Sequence, residues 1–215
     1  MMEKKHRHLF LTVLLIIFGS IILFYWISLP SVPPEEPTQA CKIFEQYPEW
    51  YEVSKNVEKQ WGVPVSVQLA ILYQESTFQA TAHPSKPHLF SKIRWFHHST
   101  AVGFAQVKAD TWQAYQKETG NWHASRENYE DAVEFMGWYI RHIHKELGIP
   151  LSNAKLLYLA YHEGIHGYQS QSYLSKPWLI KVAEHVQDMS IRYRNQLAIC
   201  MQPKKQQKSK PTAKK

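Results

Sequence analysis

Residues 64–76 read PVSVQLAILYQES. Pro64 suits a first helical position, and the run behind it is apolar at Val67, Ala70 and Ile71 with Leu72 alongside, the i, i+3, i+4 spacing of a helix. Glu75 closes that helix. The rest of the chain from 44 to 200 follows suit. Pro48 to Gln60 is amphipathic and stops at Gly62; 106–118 reads as a helix; Arg126 to Leu147 is entered at Ser125 and ended by Gly148 and Pro150. Ser152 caps LSNAKLLYLAY, and Lys176 to Leu197 forms the last helix, with Pro177 at its start. No internal repeat and no run of alternating strand residues intervenes, so the sequence predicts a mostly all-α fold. The exception is 77–102, a loop of the length that usually carries function, in which Trp95 and Phe96 sit among prolines, serines and histidines.

At 215 residues the chain suits one domain with appendages. Residues 9–29, LFLTVLLIIFGSIILFYWISL, carry no charge, a stretch long enough to cross a bilayer as a helix. Lys4, Lys5 and Arg7 precede it, so residues 1–8 read as a cytoplasmic basic terminus, 9–29 as a transmembrane anchor, and all that follows as periplasmic or extracellular. A cleaved signal peptide is the competing reading, but SLPSVPP offers no small-x-small cleavage site, and TQAC lacks the apolar residues expected before a lipidated cysteine. Residues 30–40, PSVPPEEPTQA, read as a stiff proline-rich linker. The domain then spans 41–202 and a basic disordered tail 203–215. The expected location is the cytoplasmic (inner) membrane, single-pass.

The net charge of +7 is concentrated at the ends: residues 1–7 contribute +2 and 203–215 contribute +6, leaving the folded part near neutral. That distribution argues against nucleic acid as a partner. The two cysteines, Cys41 and Cys200, favour a disulfide stapling the ends of an exported domain; two buried thiols are the alternative.

Glu75 ends an apolar helix and is followed by no acidic residue until Asp110. A carboxyl group held against apolar surface has its charged form disfavoured, which raises its pKa and suits it to act as a general acid. Alone, it reads better as a solvated glutamate on a polar face. Three short motifs in order add weight: Gln74-Glu75-Ser76, then Gly103-Phe104-Ala105-Gln106, then Ala160-Tyr161-His162-Glu163-Gly164. In that order and helical setting, over residues 48–197, the chain resembles the lytic transglycosylases of the lysozyme-like superfamily.

The resemblance implies a lysozyme-like domain that cleaves the β-1,4 bond between N-acetylmuramic acid and N-acetylglucosamine in peptidoglycan without a cofactor or metal. It implies that Glu75 is the single acid/base, that Ser76 holds the substrate or the acid, and that Gln106 hydrogen-bonds sugar groups. Tyr161 would position the sugar, with His162 and Glu163 beside it, and Gly103 would allow close backbone approach. Trp95 and Phe96 are candidates for stacking on sugar rings. The chain departs from the family pattern in its long 77–102 segment, in Ala105 where a bulkier residue is common, and in His162-Glu163 where Asn-Ala is usual. Two-carboxylate glycosidases place their carboxyl groups about 5 to 9.5 Å apart. The acid-free segment after Glu75 fits a single-carboxylate, substrate-assisted reaction better than a hydrolytic muramidase.

His162-Glu163-Gly164-Ile165-His166 also spells H-E-x-x-H, the helix-borne zinc-protease pattern, with Glu184 or His185 as a conceivable third ligand. Gly164 and Gly167 argue for a helix that ends there instead. A third reading is a non-catalytic wall-binding module, against which Glu75 and Gln106 count. The expected partners are peptidoglycan glycan strands and, through 9–29, the cytoplasmic membrane.

Overall fold

A computed structural model describes residues 15–20, 31–83 and 100–201. The chain divides into two units, Met1–Ser31 and Val32–Lys215. In the first, residues 15–20 are helical and exposed; the rest of the 9–29 run lies outside the described residues, as do Trp95, Phe96 and the 203–215 tail. Among the described residues no helix is long and apolar enough to cross a membrane.

The second unit is built from helices α1 (Ala40–Gln46), α2 (Pro48–Trp61), α3 (Val65–Ser76), α4 (Ala109–Thr119), α5 (Tyr129–Leu147), α6 (Ala154–Gln169) and α7 (Pro177–Cys200), with a 3-10 turn at Ser172–Ser175 before α7. No sheet occurs among the described residues; a single bridge pairs Val102 with Val107. α3 is the axis of the fold. Val65 through Leu72 are all buried, so the helix is covered on every side there, and α2, α5, α6 and α7 pack around it. Such all-round burial marks a central core helix, where a one-sided stripe would mark a surface one. Gln68 belongs inside because its amide donates to the Ser54 and Val63 carbonyls at 3.0 and 2.8 Å.

Three helix starts differ from the sequence reading, each because a competing contact holds the expected first residue out of the helix. α5 begins at Tyr129 rather than Arg126: Asn128 caps it by accepting from the Asp131 N–H, while the Asp131 carboxylate takes the Ser125 N–H and leaves Ser125 in the preceding turn. α6 is capped by Asn153, which accepts from the Leu156 N–H, and not by Ser152. α4 starts at Ala109 rather than 106 because Gln106 is held in a turn at φ 45°.

Cys41 and Cys200 form a disulfide with Cα atoms 6.1 Å apart across 159 residues, fastening α1 to the end of α7. The 31–39 segment is irregular. It is tied to the domain where Tyr47 donates to the Val32 carbonyl, Gln46 accepts from the Glu35 N–H and Tyr193 donates to the Pro37 carbonyl.

Candidate active site

Glu75 sits on the last turn of α3, and the chain behind it bends sharply. Thr77 and Phe78 both adopt left-handed conformations, φ 52° and 59°, which are unfavourable for a β-branched and a bulky residue at about 1–2 kcal/mol each. Phe78 is completely buried, and a fully buried aromatic returns about 1.5–3 kcal/mol, which offsets much of the strain. The bend sends the chain away from α3 and leaves the Glu75 carboxyl facing a cavity of about 380 Å3.

The opposite wall is the turn between the paired residues Val102 and Val107. Phe104 anchors it, edge-on at 5.7 Å to both Trp50 and Tyr129, which stack on each other at 3.9 Å. Gly103 has φ +81°, and a Cβ there would lie 2.0 Å from the Arg126 carbonyl oxygen, so only glycine fits. The close approach that Gly103 permits is thus to the protein's own backbone. Arg126 closes the far side, its Nη1 donating to the Thr100 and Val107 carbonyls at 2.8 and 3.1 Å.

Gln106 lines the cavity, with its Nε2 donating to the Ala82 and Gly103 carbonyls at 2.8 and 2.9 Å. What it can offer inward is therefore its Oε1, an acceptor. Ser76 is buried and its hydroxyl donates to the Leu72 carbonyl at 3.2 Å within its own helix. It is not among the residues that line the cavity.

α5 and α6 form the remaining walls. Tyr139 and Tyr161 meet edge-on at 5.5 Å, and the Tyr161 hydroxyl donates to the Ala105 carbonyl at 2.7 Å, which joins α6 to the turn. Tyr158, one helical turn before Tyr161, donates to the Glu75 carboxyl. Burial dominates at Glu75 and pushes its pKa up to about 7; the Tyr158 bond acts the other way, more weakly. Burial, the Glu75 charge and the bond to it also push the Tyr158 hydroxyl up, so it stays a donor.

The transglycosylase SLT domain matches the chain over residues 15–200. The chain belongs to that family. No curated protein matches it. The SLT domain thus has the expected mostly α-helical character, and membership points to an enzyme acting on peptidoglycan.

Within this SLT domain the H-E-x-x-H stretch is not a metal site in form. α6 runs through it but is broken at Gly164, φ 77° and ψ 165°, so His162 and His166 do not share one regular helical face. Glu163 is otherwise engaged. Its carboxylate, only 4 % exposed, accepts from Lys176 Nζ at 2.7 and 2.9 Å, from the Ser172 hydroxyl, and contacts His162 Nδ1 at 3.0 Å. Burial alone would raise its pKa; the Lys176, Ser172 and His162 contacts outweigh that and hold it at about 2. Among the described residues no group of three or more His, Cys, Asp or Glu is placed to hold a metal ion.

The cavity thus brings together Glu75, Gln106, Tyr161, His162 and Glu163 from the sequence-predicted set, and leaves Ser76 and Gly103 behind its walls. Tyr158, Tyr139 and Lys176 were not anticipated. Tyr158 was within reach of the sequence, because the spacing in YLAY puts it on the same helical face as Tyr161.

Proposed function

We propose that this SLT domain is a lytic transglycosylase that cleaves the β-1,4 bond between N-acetylmuramic acid and N-acetylglucosamine and leaves a 1,6-anhydromuramic acid end. The observation that carries the reading is Glu75: a half-buried carboxyl with its pKa pushed up to about 7, hydrogen-bonded by Tyr158 and facing a cavity of about 380 Å3. Such a group holds a proton at neutral pH and can both give and take one. Glu75 donates its proton to the leaving O4 of N-acetylglucosamine as the C1–O4 bond breaks. The N-acetyl oxygen of the muramic acid stabilises the positive C1. The muramic acid O6 then attacks C1, its proton passes to the Glu75 carboxylate, and the acid is restored with no water consumed.

Gln106 Oε1 is suited to accept from a sugar hydroxyl or N-acetyl N–H, and the Tyr139 and Tyr161 rings give the sugar an apolar wall. Glu163 lines the cavity but serves as a strut, because its charge is matched by Lys176 and is unsuited to take a proton near neutral pH. Zinc-protease chemistry is disfavoured on the same ground, since a carboxylate gripping an ammonium cannot activate a water.

A muramidase is the second reading. Asp110, exposed on the same cavity, is a carboxylate that could activate water in a hydrolytic reaction. The test is release of soluble fragments from purified sacculi by wild type, Glu75→Gln and Asp110→Asn. The proposal expects Glu75→Gln to be inactive and Asp110→Asn to retain activity; loss in Asp110→Asn with free reducing ends in the wild-type digest would favour the muramidase.

The uncharged 9–29 run, the basic residues before it and the Cys41–Cys200 disulfide support an SLT domain held on the outer side of the cytoplasmic membrane. Cell fractionation with protease accessibility tests that location.

A further inference from the structure

Trp178, on the first turn of α7, is 55 % exposed although it is among the largest apolar side chains in the protein. Its ring stands edge-on to His162, with centroids 5.5 Å apart and planes at 77°. His162 lines the Glu75 cavity, and its ring lies 6.3 Å from that of Tyr158, the donor to Glu75. A line of rings therefore leads from the acid to the cavity lip and ends in an uncovered indole.

The backbone that carries the indole is also firmly held. Lys176, two residues before it, is locked to the buried Glu163 carboxylate, Ser172 joins the same carboxylate, and Pro177 fixes the first helical position. A helix start held this way needs little backbone ordering when a ligand binds to it.

We propose that Trp178, with His162 beside it, forms a glycan-binding subsite next along the groove from Glu75, taking one pyranose ring of the strand flat against the indole. Axial C–H groups on the face of an N-acetylglucosamine or muramic acid ring carry partial positive charge and pack on the negative face of an aromatic ring. The His162 edge fixes the angle of the platform. This subsite rests on the proposed glycan-cleaving function, deepens it by naming a residue that grips substrate away from the reacting bond, and involves no residue of the three motifs except His162.

Binding away from the reacting bond should act on KM more than on kcat. The test uses the full chain with solubilised glycan strands, comparing wild type, Trp178→Ala, Trp178→Phe and, as a control, Trp122→Ala, whose side chain is exposed outside the cavity lining. The proposal expects Trp178→Ala to raise KM roughly tenfold, the size of one aromatic contact, with kcat within about twofold of wild type. Trp178→Phe should recover most of the loss and Trp122→Ala should change neither constant. In parallel, chitotetraose binding to Glu75→Gln is measured by calorimetry with and without Trp178→Ala. Weaker binding on removing Trp178, in a protein that cleaves no glycan, would sink the proposed function and keep the subsite. Cleavage with KM unchanged in Trp178→Ala, or equal chitotetraose affinity with and without Trp178, would overturn the subsite and leave the function standing.

Discussion

The Tyr158 hydroxyl donates to the Glu75 carboxyl, binding the acid from a neighbouring helix at the wall of the cavity. A bond to a carboxylate favours its charged form, so Tyr158 lowers a pKa that burial raises. Tyr158→Phe is therefore expected to raise the Glu75 pKa further and to move the alkaline fall of kcat to higher pH. The pH–rate profile measures this; a profile that merely scales down, with its alkaline limb unmoved, would contradict the role.

Glu75 also predicts a pH-dependent stability. Its folded pKa of about 7 lies above the usual 4.5, so the folded state holds a proton that the unfolded chain releases first. The folded form is favoured fully below pH 4.5, and that advantage is lost as pH rises through 7, by up to about 3 kcal/mol. Urea unfolding at pH 5 and pH 8 should show this decline in wild type and a much flatter dependence in Glu75→Gln.

At Glu163 the sign is reversed. Its folded pKa near 2 lies below 4.5, so its contribution is present above pH 4.5 and disappears as pH falls towards 2. Lys176→Met leaves a carboxylate that is 4 % exposed without its cation, at a cost of about 2–4 kcal/mol at pH 7. The gap between wild type and Lys176→Met in denaturant midpoint should narrow on acidification; a gap independent of pH would show that the ion pair contributes nothing.

Two glycines should fail differently. Gly103→Ala drives a Cβ to within 2.0 Å of the Arg126 carbonyl oxygen, displacing the turn that carries Gln106; unfolding should come more than about 3 kcal/mol earlier, with activity lost. Gly164→Ala meets no atom within 4 Å and bears only backbone strain at φ 77° and ψ 165°, about 1–3 kcal/mol. Thermal unfolding of both variants ranks them.

Much of this organisation was legible in the sequence. Apolar spacing located most helices from Pro48 onward, and the two glycine stops read there, Gly62 and Gly148, take left-handed conformations at the helix ends. The Glu75 environment followed from apolar neighbours alone, because burial is its principal perturbation. What escaped depends on contacts between distant segments. Gln106 opens no helix because its amide bonds a carbonyl 24 residues earlier, a bond invisible to local propensity. Ser76, one residue from the acid, points back to Leu72 because successive helical residues face different sides. Glu163 reads as a zinc-protease base until Lys176, 13 residues on, is brought to it by the turn before α7.

The most direct measurement of the central claim is the chemical nature of the new glycan ends. Purified sacculi are digested with wild type and with Glu75→Gln, and the muropeptides are weighed by mass spectrometry. Wild type should leave 1,6-anhydromuramic acid ends, each lighter by one water than a hydrolysed end, and Glu75→Gln should leave none. Free reducing ends from wild type, or undiminished cleavage by Glu75→Gln, would contradict it.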